Sequence, residues 1–286
     1  MNIKRIGLAV NIFKKDIEEV LKAVVKAIPD GIDVVGMKEV SNIDYPERIN
    51  VVEGFSECDV VITLGGDGTL LRASRLVENE ETPLLGIRMR SLGFLTEDDA
   101  EKAMSELMTG EVMIQERMRL EISHIPANSE TSTYTALNDV VVHGMGVSRV
   151  LHMNTLVGNV MLGEYLSDGV IISTPTGSTA YSLAAGGPII NPVTMEAIIV
   201  TPLCPHSLSV RPIVISSGEV LTIEVVEEGQ ETMVTVDGQQ ASRIQVGEKV
   251  VIRKSDKVTR LVTCKDYDFY DLVRRKLRWG GVLRKH

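Results

Sequence analysis

The sequence predicts two domains, an α/β domain on a parallel sheet followed by a β-rich domain. At 286 residues the chain is long enough for one large or two medium domains. Over the first hundred residues, short apolar runs alternate with segments of helical spacing. That is the pattern of a parallel sheet covered on both faces. Near residue 115 the character changes, and most segments from Arg119 to Lys265 read as strands.

Ile6 to Val10 reads as a first buried strand. Its apolar run stops at Lys14-Lys15 without a small-residue cleavage site, which argues against a signal peptide. Ile17 to Ile28 carries Val20, Leu21, Val24 and Val25 at helical spacing. Val60 to Leu64 is a second buried strand, Leu70 to Val77 a helix and Leu84 to Ile87 a further strand. In the second half, strands are expected over Ala136–His143, Thr155–Leu162, Pro212–Ser216, Val220–Val226, Thr232–Val236 and Val250–Lys254. Asp237-Gly238 and Val246-Gly247-Glu248 supply turns. One helix should interrupt this block, starting after Ser178 and ending at Gly186-Gly187, and Asp268 to Arg278 returns to helix. The expected domains are residues 1–114 and 115–265, with the segment 266–286 packing back on the first.

The composition narrows the function classes. Lys plus Arg is 30 against 39 Asp plus Glu, a net charge of −9, so the basic excess of a nucleic-acid binder is missing. One Trp, six Tyr and four Phe leave the core to aliphatic residues. No apolar run approaches the roughly 18 residues of a membrane span. Cys58, Cys204 and Cys264 are far apart and odd in number, which favours a reducing cytoplasm over a disulfide framework. His143, His152 and His206 lack metal-ligand spacing, so no protein-held metal is expected. From Arg274 onward six Lys or Arg residues stand without an acidic one; a solvated tail or a contact with phosphates or a neighbouring subunit both fit.

Gly65-Gly66-Asp67-Gly68-Thr69 is the most informative stretch. It follows a buried strand and precedes a helix, where open α/β sheets bind ligands. By composition, Gly-Gly-Asp-Gly should occur about 0.005 times in such a chain. Glycines permit positive φ and let backbone amides approach an anion, and the helix N-terminus adds partial positive charge. A carboxylate there would repel phosphates unless it holds a metal or removes a proton from an attacking hydroxyl. The stretch is neither a P-loop nor the Gly-x-Gly-x-x-Gly fingerprint, which disfavours hydride transfer.

Four motifs in order resemble the NAD kinase family. Gly65-Gly66-Asp67-Gly68-Thr69 is similar to the phosphate-binding turn of NAD, diacylglycerol and phosphofructo-kinases. Ser91 to Glu97 resembles the second NAD kinase motif, and Asn138-Asp139 its Asn-Glu/Asp motif. The run Asp168 to Ser182, with Gly186-Gly187-Pro188, resembles the longest signature. The resemblance implies a Rossmann-like N-terminal domain, a β-sandwich-like C-terminal domain and an active site between them. It implies phosphoryl transfer from ATP or polyphosphate to the 2′-hydroxyl of the adenosine ribose of NAD. A divalent cation such as Mg²⁺ would come with ATP, and the chain would form a homodimer or homotetramer.

Carried over residue by residue, Asp67 would be the general base, and Gly65, Gly66, Gly68 and Thr69 would form the phosphate-donor loop. Asp67, Gly68, Arg72, Phe94, Asn138, Asp139, Arg149, Leu166, Asp168, Thr176, Thr179, Ala180, Tyr181, Ser182, Leu183, Ala184 and Gln239 would contact NAD. Arg72 would head a local cationic cluster or be an exposed helix residue. Arg149 suits a ligand contact or a surface ion pair. Asn138 donates and accepts whereas Asp139 only accepts, which suits nucleoside edges; a turn or capping pair is the plainer alternative. Tyr181 would stack on a base or fill the core. Two departures stand out: Gly86-Ile87-Arg88-Met89-Arg90 replaces Gly-Ile-Asn-x-Gly, and Leu166 replaces an arginine linked to the choice between NAD and NADH. A lipid kinase with the same turn, or a sensor that binds NAD or NADP without phosphoryl transfer, are the competing readings.

Overall fold

The computed structural model describes residues 3–77, 79–89, 93–97, 99–126, 130–145, 150–226 and 231–280. The chain divides into two compact units, one of Met1–Glu116 with everything from Thr259 onward, the other Arg117–Val258.

The first unit runs β1 (Arg5–Val10), α1 (Ile17–Ala27), β2 (Asp33–Met37), β3 (Ile49–Val52), β4 (Val60–Gly65), α2 (Asp67–Leu76), β5 (Leu84–Arg88) and α3 (Ala100–Thr109). β6 (Val112–Ile125) then leads into the second unit. The strands β3-β2-β1-β4-β5 pair in that order, all parallel. Sequence order therefore reverses between β1 and β4, the topological switch point at which open sheets bind ligands. Every residue of β4 is buried, as a central strand covered on both faces must be. Ile6 and Leu8 of β1, Ile62 and Leu64 of β4, Leu21 and Val25 of α1, and Met104 and Leu107 of α3 share one core.

Two differences from the sequence reading have simple causes. α2 starts at Asp67, not Leu70, because its first turn is the polar glycine turn itself and carries no apolar periodicity. α3 is signalled by its ends more than its face: the Asp99 side chain accepts from Lys102 N at 2.9 Å, and Gly110 closes the helix at φ 75°.

The second unit contains β7 (Ser132–Ala136), β8 (Asp139–Gly144), β9 (Leu151–Val157), β10 (Val160–Ser167), β11 (Gly169–Ser173), α4 (Tyr181–Ala184), β12 (Ala197–Leu203), β13 (Ile213–Ser216), β14 (Leu221–Val225), β15 (Thr232–Val236) and β16 (Gln240–Ile244). β17 (Lys249–Cys264) returns to the first unit, where Leu261 and Val262 pair parallel with β5, and α5 (Phe269–Leu277) follows. One antiparallel sheet orders β13-β12-β11-β8-β15-β16. The strands β10-β9-β14 and the start of β17 pair as a second antiparallel layer. Val140, Val142, Val170, Ile172, Val234 and Val236 of the first layer share a core with Leu151, Met153, Leu221, Ile223 and Val250 of the second. Alternate residues of two sheets facing one core make a β-sandwich.

The expected strand Thr155–Leu162 is instead a hairpin. Val157 pairs with Val160 across Gly158-Asn159, with Gly158 at φ 56°, a two-residue turn signal that outweighs the apolar run. The expected strand Ala136–His143 is broken at Leu137-Asn138, so Asn138 stands between β7 and β8, not inside a strand. The helix expected after Ser178 is only the four-residue α4, preceded by a 3-10 turn over Gly177–Thr179.

Candidate functional site

In the first unit the glycine turn sits at the end of β4, beside the switch point. Asp67 is the first residue of α2, at the positive end of the helix dipole. Its carboxylate accepts from Phe94 N at 2.7 Å and Leu95 N at 3.2 Å, with Thr96 Oγ1 at 3.4 Å. A Cβ on Gly93 would lie 2.1 Å from Asp67 Oδ1, so glycine is what lets the Phe94 amide reach Oδ2 and the Leu95 amide reach Oδ1.

The glycines work differently from the sequence reading. None of Gly65, Gly66 and Gly68 has positive φ. Gly65 is needed for space, since a Cβ there would lie 2.2 Å from Thr69 Oγ1, whereas Gly68 has nothing within 4 Å. Arg72 forms an ion pair with Glu39, and the guanidinium holds the Glu39 carboxyl below its usual range. Its charge is thus shared with a carboxylate. Arg90, Ser91, Leu92 and Arg149 lie outside the described residues.

In the second unit the outer face of the six-stranded sheet carries a cavity of about 750 Å³. Period-two alternation builds it: Val140 and Val142 of β8 enter the core, while Asp139, Val141 and His143 line the cavity. β15 does the same with Val234 and Val236 inside and Thr235 outside. Asn138, Asp168, Ala180, Tyr181, Asp237 and Gly238 complete much of the wall. The His143 ring bonds Thr235 Oγ1 at 3.0 Å.

The long signature contributes chiefly by pinning backbone. Thr174 Oγ1 donates to Leu137 O at 2.6 Å, and Thr174 N donates to Asn138 O at 2.9 Å. A Cβ on Gly177 would lie 2.1 Å from that same Asn138 carbonyl. Ser178 Oγ donates to Pro175 O, and Thr179 Oγ1 to Thr176 O. Ser182 Oγ is buried against Thr201 Oγ1 at 2.9 Å. Of the residues expected to contact a dinucleotide in this unit, Asn138, Asp139, Asp168, Ala180 and Tyr181 line the cavity. Thr176, Thr179, Ser182, Leu183 and Ala184 do not line it. Leu166 is exposed on β10 opposite His152, and Gln239 is exposed in the β15–β16 turn.

Sequence reasoning missed Asp237. Read there as half of an Asp-Gly turn, it is 6% exposed and accepts three backbone N–H groups, from Leu137, Asn138 and Asp139. Burial raises its pKa, and those amides and Arg119 act against the rise. Burial first, then the Asp237 charge, push Asp139 up to about 7. A protonated Asp139 could donate as well as accept.

A glycine turn at a switch point and a cavity within the 300–1,000 Å³ range of small-molecule sites define a ligand-binding α/β class of protein. Comparison narrows the class. Residues 9–112 match the ATP-NAD kinase N-terminal domain and residues 137–264 the ATP-NAD kinase C-terminal domain. The chain is 41% identical over 281 residues to the NAD kinase of Caldanaerobacter subterraneus subsp. tengcongensis, covering 96% of this chain and 99% of the relative. It is 37% identical to that of Moorella thermoacetica, covering 98% and 91%. Two solved structures share the fold at 23% identity. Yeast NADH kinase complexed with NADH superposes at TM-score 0.90 over 99% of this chain and 90% of the other. The Archaeoglobus fulgidus NAD kinase in complex with ATP gives 0.72 over 96% and 98%. This chain belongs to the NAD kinase family.

Proposed function

We propose that the chain transfers the terminal phosphoryl group of ATP, or of polyphosphate, to the 2′-hydroxyl of the adenosine ribose of NAD, giving NADP. The observation that carries this reading is the Asp67 carboxylate, fixed by the Phe94 and Leu95 amides at the head of α2. Phosphoryl transfer draws on positioning and charge neutralisation, with little covalent work for the protein. The partial positive charge at the N-terminal end of α2 suits phosphate oxygens, and Asp67 takes the proton of the attacking hydroxyl. A positioned base of this kind contributes about 10²–10⁴-fold.

The cavity of the second unit suits a nucleoside. Asn138 Oδ1 is buried without a hydrogen-bond partner, an acceptor suited to an N–H donor such as the adenine amino group. Tyr181, 49% exposed at the wall, offers a face for stacking. Mg²⁺ would arrive with the donor's phosphates and neutralise their charge. Glu106, Cys264 and Asp266 are the one close cluster of ligand atoms among the described residues. Asp266 there holds the Lys102 ammonium and Glu106 accepts from Lys265 N, so we assign it no cation.

Self-association into a homodimer or homotetramer belongs to the same proposal, as does a cytoplasmic setting. The three free thiols support the latter. No described helix is long and apolar enough to cross a membrane. The test is to mix purified protein with NAD, ATP and Mg²⁺ and measure NADP with an NADP-specific dehydrogenase, with Asp67→Asn alongside. Product from the wild type and at least 100-fold less from the variant is expected. Silence with NAD, NADH, ATP and polyphosphate, while NAD still binds, would make the protein a sensor.

A further inference from the structure

We infer that Asp237 is a positioning residue: its carboxylate clamps the Leu137–Asn138–Asp139 backbone and thereby aims the Asn138 and Asp139 side chains into the cavity. The inference rests on the proposed NAD-binding role of that cavity.

The clamp fills a gap in the sheet. β7 ends at Ala136 and β8 begins at Asp139, so the amides between them lose the regular ladder. Asp237 supplies the missing acceptors from a hundred residues away in sequence. Oδ2 accepts from Leu137 N at 3.0 Å, and Oδ1 accepts from Asn138 N at 2.8 Å and Asp139 N at 3.2 Å. Its own N–H donates to Asp139 O at 2.9 Å. From the other side, Thr174 holds the carbonyls of Leu137 and Asn138. With the backbone groups of this segment held from both sides, the Asn138 and Asp139 side chains are what remain to meet a ligand.

A turn alone does not explain these features. Asp-Gly hairpin turns ordinarily leave the aspartate in solvent, and here the carboxylate is buried. Asp237 takes φ 49° and Gly238 φ 63°, a left-handed backbone that asparagine or glycine would adopt as readily. What asparagine cannot do is present two acceptor oxygens to three converging amides. The charge of Asp237 also faces Asp139 and helps keep the proton there, which leaves Asp139 able to donate.

The experiment compares the full chain with Asp237→Asn, Asp237→Glu, Asp139→Asn and the Asp139→Asn/Asp237→Asn double variant. In Asp237→Asn the amides of Leu137, Asn138 and Asp139 should exchange hydrogen at least tenfold faster, with those of β15 and β11 unchanged. KM for NAD should rise at least tenfold, with kcat within threefold and KM for the donor unchanged. Asp237→Glu, which keeps both oxygens, should recover part of both effects and serves in its place if Asp237→Asn does not fold. The double variant should raise KM by less than the product of the single effects, the mark of coupled residues. Unchanged exchange overturns the clamp, and faster exchange with unchanged KM overturns the positioning role. A fall in kcat alone, tracking the folded fraction, leaves Asp237 merely structural and also overturns it. A wild type that neither binds nor phosphorylates NAD overturns the functional reading instead, and the exchange rates then decide the clamp.

Discussion

Asp139→Asn puts the electrostatics of the cavity to a quantitative test. Asp139 is 5% exposed, and burial followed by the Asp237 charge raises its pKa from 3.8 to about 7. A carboxyl raised in this way keeps its proton in the folded protein while the unfolded chain has released it. Between about pH 4 and pH 7 the folded state therefore binds more protons, and stability falls as pH rises through that window. A rise of about three units, at about 1.4 kcal/mol each, sets the full loss at about 4 kcal/mol. Asp237, also raised by burial, pushes in the same direction. Asparagine carries no charge and escapes this loss, although its amide brings buried hydrogen-bonding groups of its own at about 1–3 kcal/mol if left unmet. The variant should thus be about 1–3 kcal/mol more stable than wild type at pH 8 and no more stable at pH 4.5. At about 2–4 °C per kcal/mol, the Tm at pH 8 rises by roughly 2–12 °C. Calorimetry of both proteins from pH 4.5 to 8.5 at constant ionic strength gives the difference curve, in which titrating groups not coupled to Asp139 cancel. A difference that is flat across this range, or that shrinks as pH rises, refutes the reasoning.

Three further outcomes follow from the first unit. Asp67→Asn should fold but lose at least two decades in turnover, with about 1 kcal/mol of stability lost with one carboxylate oxygen; wild-type turnover would remove Asp67 from the base role. Gly65→Ala should cost more than about 2 kcal/mol in denaturant unfolding, because its Cβ would meet Thr69 Oγ1 at 2.2 Å, while Gly68→Ala, with nothing within 4 Å, should stay within about 0.5 kcal/mol. Equal costs would show that the turn has relaxed. Arg72→Ala breaks an exposed pair with Glu39 and should cost less than about 1 kcal/mol, yet raise KM for a phosphate-bearing substrate; unchanged Michaelis constants for both substrates would discharge Arg72 from binding.

Much of the architecture was legible in the residues. β4 reads as a buried parallel strand because all of its residues are buried on both faces, and burial of that kind is written as an unbroken apolar run. Gly65 to Thr69 declares its place because strand, turn and helix follow one another in sequence. Hairpin turns and strand breaks were less legible. The apolar run from Thr155 to Leu162 concealed Gly158-Asn159, since a turn of two residues barely interrupts hydrophobicity.

Local order along the chain was enough to determine the buried strands β1, β4 and β5, the glycine turn with its aspartate at a helix head, and the family. These depend on neighbours within a few residues, where backbone sterics and periodicity act. Only the tertiary structure decided that Gly65 serves space and not positive φ, that Arg72 is paired with Glu39, and that Ser182 is buried against Thr201. It alone raised Asp139 toward neutrality and gave Asp237 three amides to hold. The physical reason is common to all of these. Desolvation, charge coupling and close approach depend on distances in space, and Asp237 meets Leu137 across a hundred residues of chain.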